Sequence, residues 1–381
     1  MKIAIVGAGI GGLAAAVLLH RSGHDVAVYE QAARFARVGA GIQMAPNAVK
    51  VLRGLGLEAR LVAHAFQSDL AVSRVWDTGE VTSELKLGRD VEAIYGAPYL
   101  FLHRADLHAA IEAIVPRDIV HLDMKLAGID QDDREVTLTF VHGERVRADA
   151  VIGADGVHSL IRTSMLGPEK PRYTGRVAYR TTFRASLLDK PITPVRTKWW
   201  GPDRHMVIYF VTAARDELYF VTSVPEDAEW VTPESWSAKG DLEALRAAYA
   251  GFHTEVQTVL RACPEVHKWA LLDRDPLPRW WEGRVALLGD ACHPMTPYMA
   301  QGAASALEDA AVLSRCLEGV DADGLARAFE LYEATRKPRA SAIQTNSSTN
   351  TWLRGATDPA WVYGYDAWTA PLGVSHVDAG A

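Results

Sequence analysis

Residues 1–32 read MKIAIVGAGIGGLAAAVLLHRSGHDVAVYEQA. The apolar run Lys2–Val6 is too short to span a membrane and has the length of a buried strand. Gly7, Gly9 and Gly12 follow in GxGxxG spacing, then a helical pattern over Leu13–His20, then a second apolar run ending at Glu30. Each glycine has its own task in such a motif: the first makes a tight turn, the second admits a pyrophosphate to the backbone, and the third lets helix pack on strand. The pyrophosphate rests on N–H groups at the helix N-terminus, where the dipole favours negative charge. Glu30 stands about twenty residues past the glycines, where an acid accepts a hydrogen bond from a ribose hydroxyl. Strand, glycines, helix, strand and acid in this order predict a site for an adenine dinucleotide.

Bulk properties narrow the class. The chain has 381 residues, enough for two domains or one large two-layer unit. Its 49% hydrophobic and 23% charged content is that of an ordinary globular protein. A formal net charge of −7 without a long basic run argues against a nucleic-acid partner. Cys263, Cys292 and Cys316 match neither a zinc nor a disulfide pattern, so no metal site is expected and a reducing compartment is. The glycine loop begins at residue 7, leaving no room for a leader, and no apolar run approaches eighteen residues. A soluble, cytoplasmic protein without membrane contact is expected, as a monomer or homodimer.

Further along, Arg37–Asn47 (RVGAGIQMAPN) is a glycine-rich loop that lets backbone approach a ligand. A short helix is predicted over Ala48–Leu55, a strand over Leu100–Arg104, and a helix from Asp106 to Ile114, ahead of Pro116. Ile119–Phe140 alternates around an acidic turn, and Ala150–Ile152 is a buried strand leading into GADGVHSLIR. From Tyr173 the composition changes. Arg176–Phe183, Thr197–Trp200, His205–Val211 and Glu217–Val224 read as an antiparallel sheet. Arg284–Leu288 is another short strand, followed by GDACHPMTPYMAQGAASALEDAAVL and helix to about Asn350. The dinucleotide domain is therefore expected to be discontinuous, with residues 1–172 and 275–350 enclosing a sheet at 173–274 and an aromatic tail at 351–381.

Three acid-glycine sites recur at strand ends: the opening motif with Glu30, then Asp155-Gly156, then Gly289-Asp290. With Arg104 ahead of a helix, this order resembles the flavoprotein aromatic hydroxylases of the para-hydroxybenzoate and salicylate hydroxylase type. The resemblance implies an α/β fold: a Rossmann-like FAD-binding domain, an inserted antiparallel β-sheet substrate domain and a C-terminal helical region. It implies non-covalent FAD held by Gly7, Gly9, Gly12, Glu30, Gln31, Arg37, Arg104, Leu126, Asp155, Gly156, Asp290, Pro297, Gly302 and Ala303. In that family Asp155 serves both flavin and nicotinamide binding, Asp290 holds the ribityl chain, and Arg37 and Arg104 contact the flavin. The helix from Gly302 offers N–H groups to charge on a reduced flavin.

A closer resemblance lies in KWWGPDRHMVIYFVT, HPMTPYMAQGAASALEDAA and NTWLRGATDPAWVYGYD. These are similar to family members that exchange a pyridine-ring carboxylate for hydroxyl. By that likeness His205 and Tyr209 face the substrate, with Tyr209 as acid–base residue. Residues 205, 207 and 209 share a strand face, since side chains alternate with period two. Read as plain strand residues, Tyr209 is a core aromatic and His205 an ordinary neighbour. Gln43 and Tyr298 stand where that pattern has histidines, and glutamine takes no proton near neutral pH. Gln43 is left to bond a carboxylate, a hydroxyl or the flavin, or to pack on it. Trp199 and Trp200 either wall the pocket or fill the core, and the tail either covers the pocket or makes a dimer contact.

The expected activity is FAD-dependent monooxygenation of a small hydroxylated aromatic or heteroaromatic acid by O2 through a flavin C4a-hydroperoxide. NADH or NADPH visits transiently as reductant. Rival readings are a salicylate-like or phenol hydroxylase, a flavin oxidase or dehydrogenase that inserts no oxygen, and a flavin-holding sensor.

Overall fold

The computed structural model describes residues 1–35, 40–226 and 238–373. Its first sheet has six strands in the order Trp281–Glu282, Val285–Leu287, Ala150–Gly153, Lys2–Val6, Asp25–Tyr29 and Val120–His121. All neighbouring pairs are parallel except the first. The central strands are apolar because both of their faces are covered. Helix Ile10–Arg21 carries an unbroken buried run from Ile10 to Leu19, since it is held between this sheet and helix Gly302–Leu317.

The second sheet has seven strands: His267–Asp273, Arg172–Arg184, Glu217–Pro225, His205–Phe210, Arg196–Trp200, Leu70–Val75 and Val81–Lys86. The last two come from the first segment of the chain and extend the sheet's edge, Leu70–Val75 by parallel pairing with Arg196–Trp200. Val81–Lys86 is mostly exposed and carries a weak alternation, which hides it as a sequence signal. Trp199 and Met206 look to one side, towards helices Leu242–Ala248 and Thr254–Ala262. There Trp199 stacks on His253 with centroids 4.9 Å apart. The opposite side faces the ribbon of Gly41–Met44 and Leu100–His103, where Tyr209 meets Phe101.

The C-terminal region is two helices, Gly302–Leu317 and Leu325–Ser348, separated by a turn with Gly319 at φ +68°. Between them lies a buried charge cluster. Glu308 receives Arg339 at 2.9 Å through both Nε and Nη2, and Arg336 at 2.7 Å. Asp309 accepts from Arg336 Nε at 2.8 Å and from Gly289 N at 3.1 Å, and lies 2.5 Å from His293 Nε2. Asn47, on helix Pro46–Gly54, donates to Glu308 at 2.7 Å and to Gln301 at 2.9 Å. The tail is laid along the same region: Arg339 donates to the carbonyls of Trp361 and Val362, and Arg315 to those of Ala367 and Ala370. Among the described residues no helix is long and apolar enough to cross a membrane.

Burial alone would raise the Glu308 carboxyl, but Arg339 and Arg336 outweigh it and hold it below its usual range. A carboxylate depressed in the folded state stabilises above its unfolded pKa, and that contribution disappears as pH falls through the folded value. Replacing Glu308 with Gln leaves two buried guanidinium groups under-compensated. Chemical denaturation at neutral pH should register a loss of about 3–5 kcal/mol. The difference between the variant and the parent should shrink in acid, below the usual carboxylate range.

Candidate active site

The glycine loop separates structural from ligand-facing positions. Gly7 has φ +104°, and a Cβ there would lie 2.3 Å from the carbonyl oxygen of Ala154. A Cβ at Gly12 would sit 2.0 Å from Gly7 O, so the third glycine serves the contact of helix on strand. Gly9 differs: a Cβ there meets no protein atom within 4 Å, and its backbone is extended, with φ −73° and ψ −177°. The space over Gly9 is open at the N-terminus of helix Ile10–Arg21, as a pyrophosphate needs. Glu30 clamps the loop, accepting from Ala8 N and Ala32 N, each at 2.9 Å, and Gln31 is exposed beside it. His108, which sequence reasoning passed over, reaches the Ala8 carbonyl at 2.8 Å.

Asp155 has a second task that its motif did not reveal. Its Oδ2 accepts from Leu160 N at 2.8 Å and Ile161 N at 3.2 Å, capping helix Leu160–Leu166. Its Oδ1 is buried without a hydrogen-bond partner, which leaves one acceptor for a ligand. Gly156 follows at φ +77°. Arg162, the last residue of GADGVHSLIR, is buried and donates to Ala291 O at 2.9 Å and Val157 O at 2.7 Å, joining this motif to the loop of Asp290. No spacing rule marks that arginine, because its partners are carbonyls 129 and 5 residues away.

Asp290 reaches solvent, and the protein packed around its carboxyl raises its pKa against the pull of His293 and Arg104. A Cβ on Gly302 would lie 3.9 Å from Asp290 Oδ1, so the acid and the N-terminus of the long helix adjoin. Pro297 opens the turn Pro297–Met299, Ala300 is left-handed at φ +55°, and Ala303 lies in the helix's first turn. Arg104 is the first residue of helix Arg104–Glu112, which His103 caps by accepting from Ala105 N. Leu126 begins a strand of the small sheet that includes Val136–Phe140 and is half-buried. Arg37 lies outside the described residues. Cys292, His293 and Asp309 stand close together, but Asp309 is already committed to Arg336, His293 and Gly289. That cluster is the foundation of the loop. An open space over Gly9, a free buried acceptor on Asp155 and a cleft-facing Asp290 together fit FAD.

The sheet face opposite this cradle is the main departure from the sequence reading. Cross-strand register places Arg196, Lys198 and Trp200 beside Tyr209, Val207 and His205. Arg196 is 5% and Lys198 1% exposed. Nε and Nη1 of Arg196 lack partners, and the Lys198 ammonium lies 3.7 Å over the Trp200 ring. Among the described residues neither cation has a carboxylate partner; Arg196 neighbours the hydroxyls of Tyr99, Tyr363 and Tyr209. Burial, then Arg196 and Arg354, holds Lys198 well below its ordinary pKa. Burial, then Lys198, Arg176 and Arg196, does the same to His205, which is therefore a neutral imidazole at pH 7. Tyr209 is pushed well up by burial and by Tyr219, against the Gln43 amide, so its hydroxyl stays protonated. Tyr298 meets His205 at 5.6 Å between centroids and shares a 2.9 Å hydrogen bond with Ser223. Asn350 and Leu353 of the tail reach His205 and Ser73, so the tail walls this end of the face.

The chain is 48% identical over 373 residues to 6-hydroxynicotinate 3-monooxygenase from Bordetella bronchiseptica, covering 97% of each protein. It is 46% identical to the Pseudomonas fluorescens protein of the same name, over 100% of this chain and 99% of that one. Among solved structures, Klebsiella pneumoniae HpxO complexed with FAD and uric acid superposes with a TM-score of 0.82 at 29% identity, covering 92% of this chain and 87% of that one.

Gly9→Val should fold, because nothing in the protein opposes the side chain, yet lose FAD, because the side chain takes the pyrophosphate's place. The melting transition and the flavin absorbance of the purified variant test both halves. Asp290→Ala should weaken FAD binding by about 1.5–3 kcal/mol, the scale of a hydrogen bond to a charged group, as measured by flavin titration. A family model described as an FAD binding domain matches residues 1–347, and with relatives this similar over nearly its whole length the chain belongs to that family.

Proposed function

We propose that this flavoprotein uses NADH or NADPH and O2 to hydroxylate a small hydroxylated heteroaromatic acid, a hydroxypyridine carboxylate of the 6-hydroxynicotinate kind, with loss of the carboxyl group. The observation that carries this reading is the pair of buried cations, Arg196 and Lys198, without an acid partner on the sheet face opposite the cofactor cradle. Buried charge is costly unless paired. A carboxylate on the incoming ring supplies the missing partner and takes a bidentate hydrogen bond from a guanidinium. An uncarboxylated phenol would leave the Arg196 guanidinium without a counter-charge, which disfavours that rival. The two 6-hydroxynicotinate 3-monooxygenase relatives support the pyridine acid among the candidates.

A hydride enters with the reductant and two protons from solvent, one oxygen of O2 joins the ring, and the other leaves as water. The attacked carbon releases CO2, whose electron pair stays with the ring. FAD, when bound, supplies the two-electron reduction and the activation of O2. Arg196 and Lys198 hold the carboxylate, and Trp200 and Tyr219 are ring walls. Neutral His205 is an acceptor for a proton, whereas Tyr209, protonated by its burial, is a donor and not a base. Burial excludes water from Arg196, Lys198, His205, Tyr209 and Tyr219.

Steady-state NAD(P)H oxidation with mass analysis of products, over 6-hydroxynicotinate, salicylate and hydroxybenzoates, tests the reaction. Reductant use with hydrogen peroxide and no hydroxylated product would mark an oxidase instead. Arg196→Met and Lys198→Met should each raise KM for the acid about 10- to 100-fold, the loss of a charge-assisted hydrogen bond. KM for the corresponding primary amide should barely move. Burial, then Arg196 and Arg354, weaken the hold of Lys198 on its proton, and an arriving carboxylate strengthens it. Affinity for the acid should therefore fall as pH rises, and calorimetry in buffers of different ionisation enthalpy should detect proton uptake on binding in the parent and none in Lys198→Met.

A further inference from the structure

One polar chain reaches Tyr209 from the ribbon of Gly41–Met44 and Leu100–His103. Gly41 and Gln43 share a face of the strand Gly41–Met44. A Cβ on Gly41 would lie 2.6 Å from the Tyr219 ring and 2.9 Å from that of Tyr209, so this face looks straight at Tyr209. Behind Gln43, the Tyr99 hydroxyl donates to its Oε1 at 2.8 Å. Behind Tyr99 stands Tyr363 of the C-terminal tail, with ring centroids 5.6 Å apart and the two hydroxyls hydrogen-bonded.

The inventory of donors gives this chain a direction. An amide has one acceptor atom and one donor atom. Tyr99 holds the Gln43 oxygen on its own side, and the Gln43 amide favours the ionised form of Tyr209, the sense of an Nε2–H turned to the phenol oxygen. The Tyr209 oxygen must then accept, and its single proton is turned away from Gln43. We propose that Gln43 is a positioning residue, oriented by Tyr99 and Tyr363, that fixes Tyr209 as a hydrogen-bond donor to the ring oxygen of the substrate. The proposal rests on the reading of this face as the substrate site. An amide is not a proton wire, so the chain does not carry the ring proton to the surface; it fixes the direction of one hydrogen bond. Tyr209 given to the ring oxygen favours the ionised, electron-rich ring.

The test reads ionisation of a bound ligand instead of turnover. The FAD-loaded protein is saturated with 4-hydroxy-3-nitrobenzoate, a ring-hydroxylated acid whose phenol and phenolate differ in colour, and the complex is titrated by absorbance. In the parent protein the bound phenol should ionise about one pH unit below its value in Tyr209→Phe, tenfold in ionisation constant. Gln43→Glu presents acceptors alone, draws the Tyr209 proton to itself and should match Tyr209→Phe. Tyr99→Phe frees the amide to turn and should lose roughly half of the shift. Gln43→Glu and Tyr99→Phe complexes that ionise as the parent does, while Tyr209→Phe shifts, overturn the positioning role and leave the site reading standing. No shift in Tyr209→Phe, or no binding of the probe to the parent, overturns the site reading and the proposal with it. Melting curves of each holoprotein separate these outcomes from misfolding, and Tyr99→Phe, which removes one hydroxyl and adds no charge, keeps the test open should Gln43→Glu not fold.

Discussion

The buried ion cluster of Glu308 and Asp309 with Arg336 and Arg339 is the interaction on which the rest of this structure depends. Two adjacent acids on one helix face two arginines one turn apart on the next. Each remaining lone pair is assigned to a different part of the chain. Asn47 brings in the helix after the glycine-rich loop, His293 and Gly289 N bring in the loop of Asp290, and Nη1 and Nη2 of Arg339 bring in the tail. A buried ion pair is poor stabilisation in itself, since desolvation consumes much of its attraction. Its geometry is demanding, however, and that is its use here. Segments separated by more than 250 residues are registered against the same four charges.

Set against this compensated cluster, the cations of the sheet face stand out. Arg336 and Arg339 have acids, whereas Arg196 and Lys198, just as deeply buried, have tyrosine hydroxyls and an indole face. The fold thus holds positive charge in low dielectric on this face, and the shifts of its neighbours follow. Lys198 and His205 are driven towards their neutral forms, and Tyr209 is kept protonated. On the proposed reading, an arriving carboxylate would restore the balance and couple selectivity to protonation.

Position on a strand divides labour between neighbours that look alike in sequence. Trp199 and Trp200 are adjacent, yet the first fills the core against His253 and the second lies on the other face beside His205. The tail resolves in a similar way: its aromatic residues pack within the chain, with Tyr363 against Tyr99 and Arg339 4.0 Å from the Tyr365 ring centre. Asn350 and Leu353 adopt φ of +53° and +61° where the tail turns onto the sheet.

The dinucleotide cradle was legible from local sequence because its requirements are local. Gly7, Gly9 and Gly12 lie within six residues, Glu30 ends the next strand, and a missing side chain is a visible signal. The acid-glycine pairs at 155–156 and 289–290, and the pairing of His205 with Tyr209 on one face, followed from strand period in the same manner. Arg162, His108, Tyr99, Arg196 and Lys198 escaped that reading. An arginine or lysine in a strand is ordinarily a solvated side chain, and nothing nearby in sequence distinguishes one whose carboxylate partner is absent. Residues 70–86 likewise became part of the second sheet through pairing with a strand more than a hundred residues away. Local sequence by itself marked the candidate dinucleotide cradle, since turn, dipole and close approach are written in consecutive residues. Tertiary structure alone decided which charges are buried without partners, because burial and compensation are set by what the rest of the chain brings alongside.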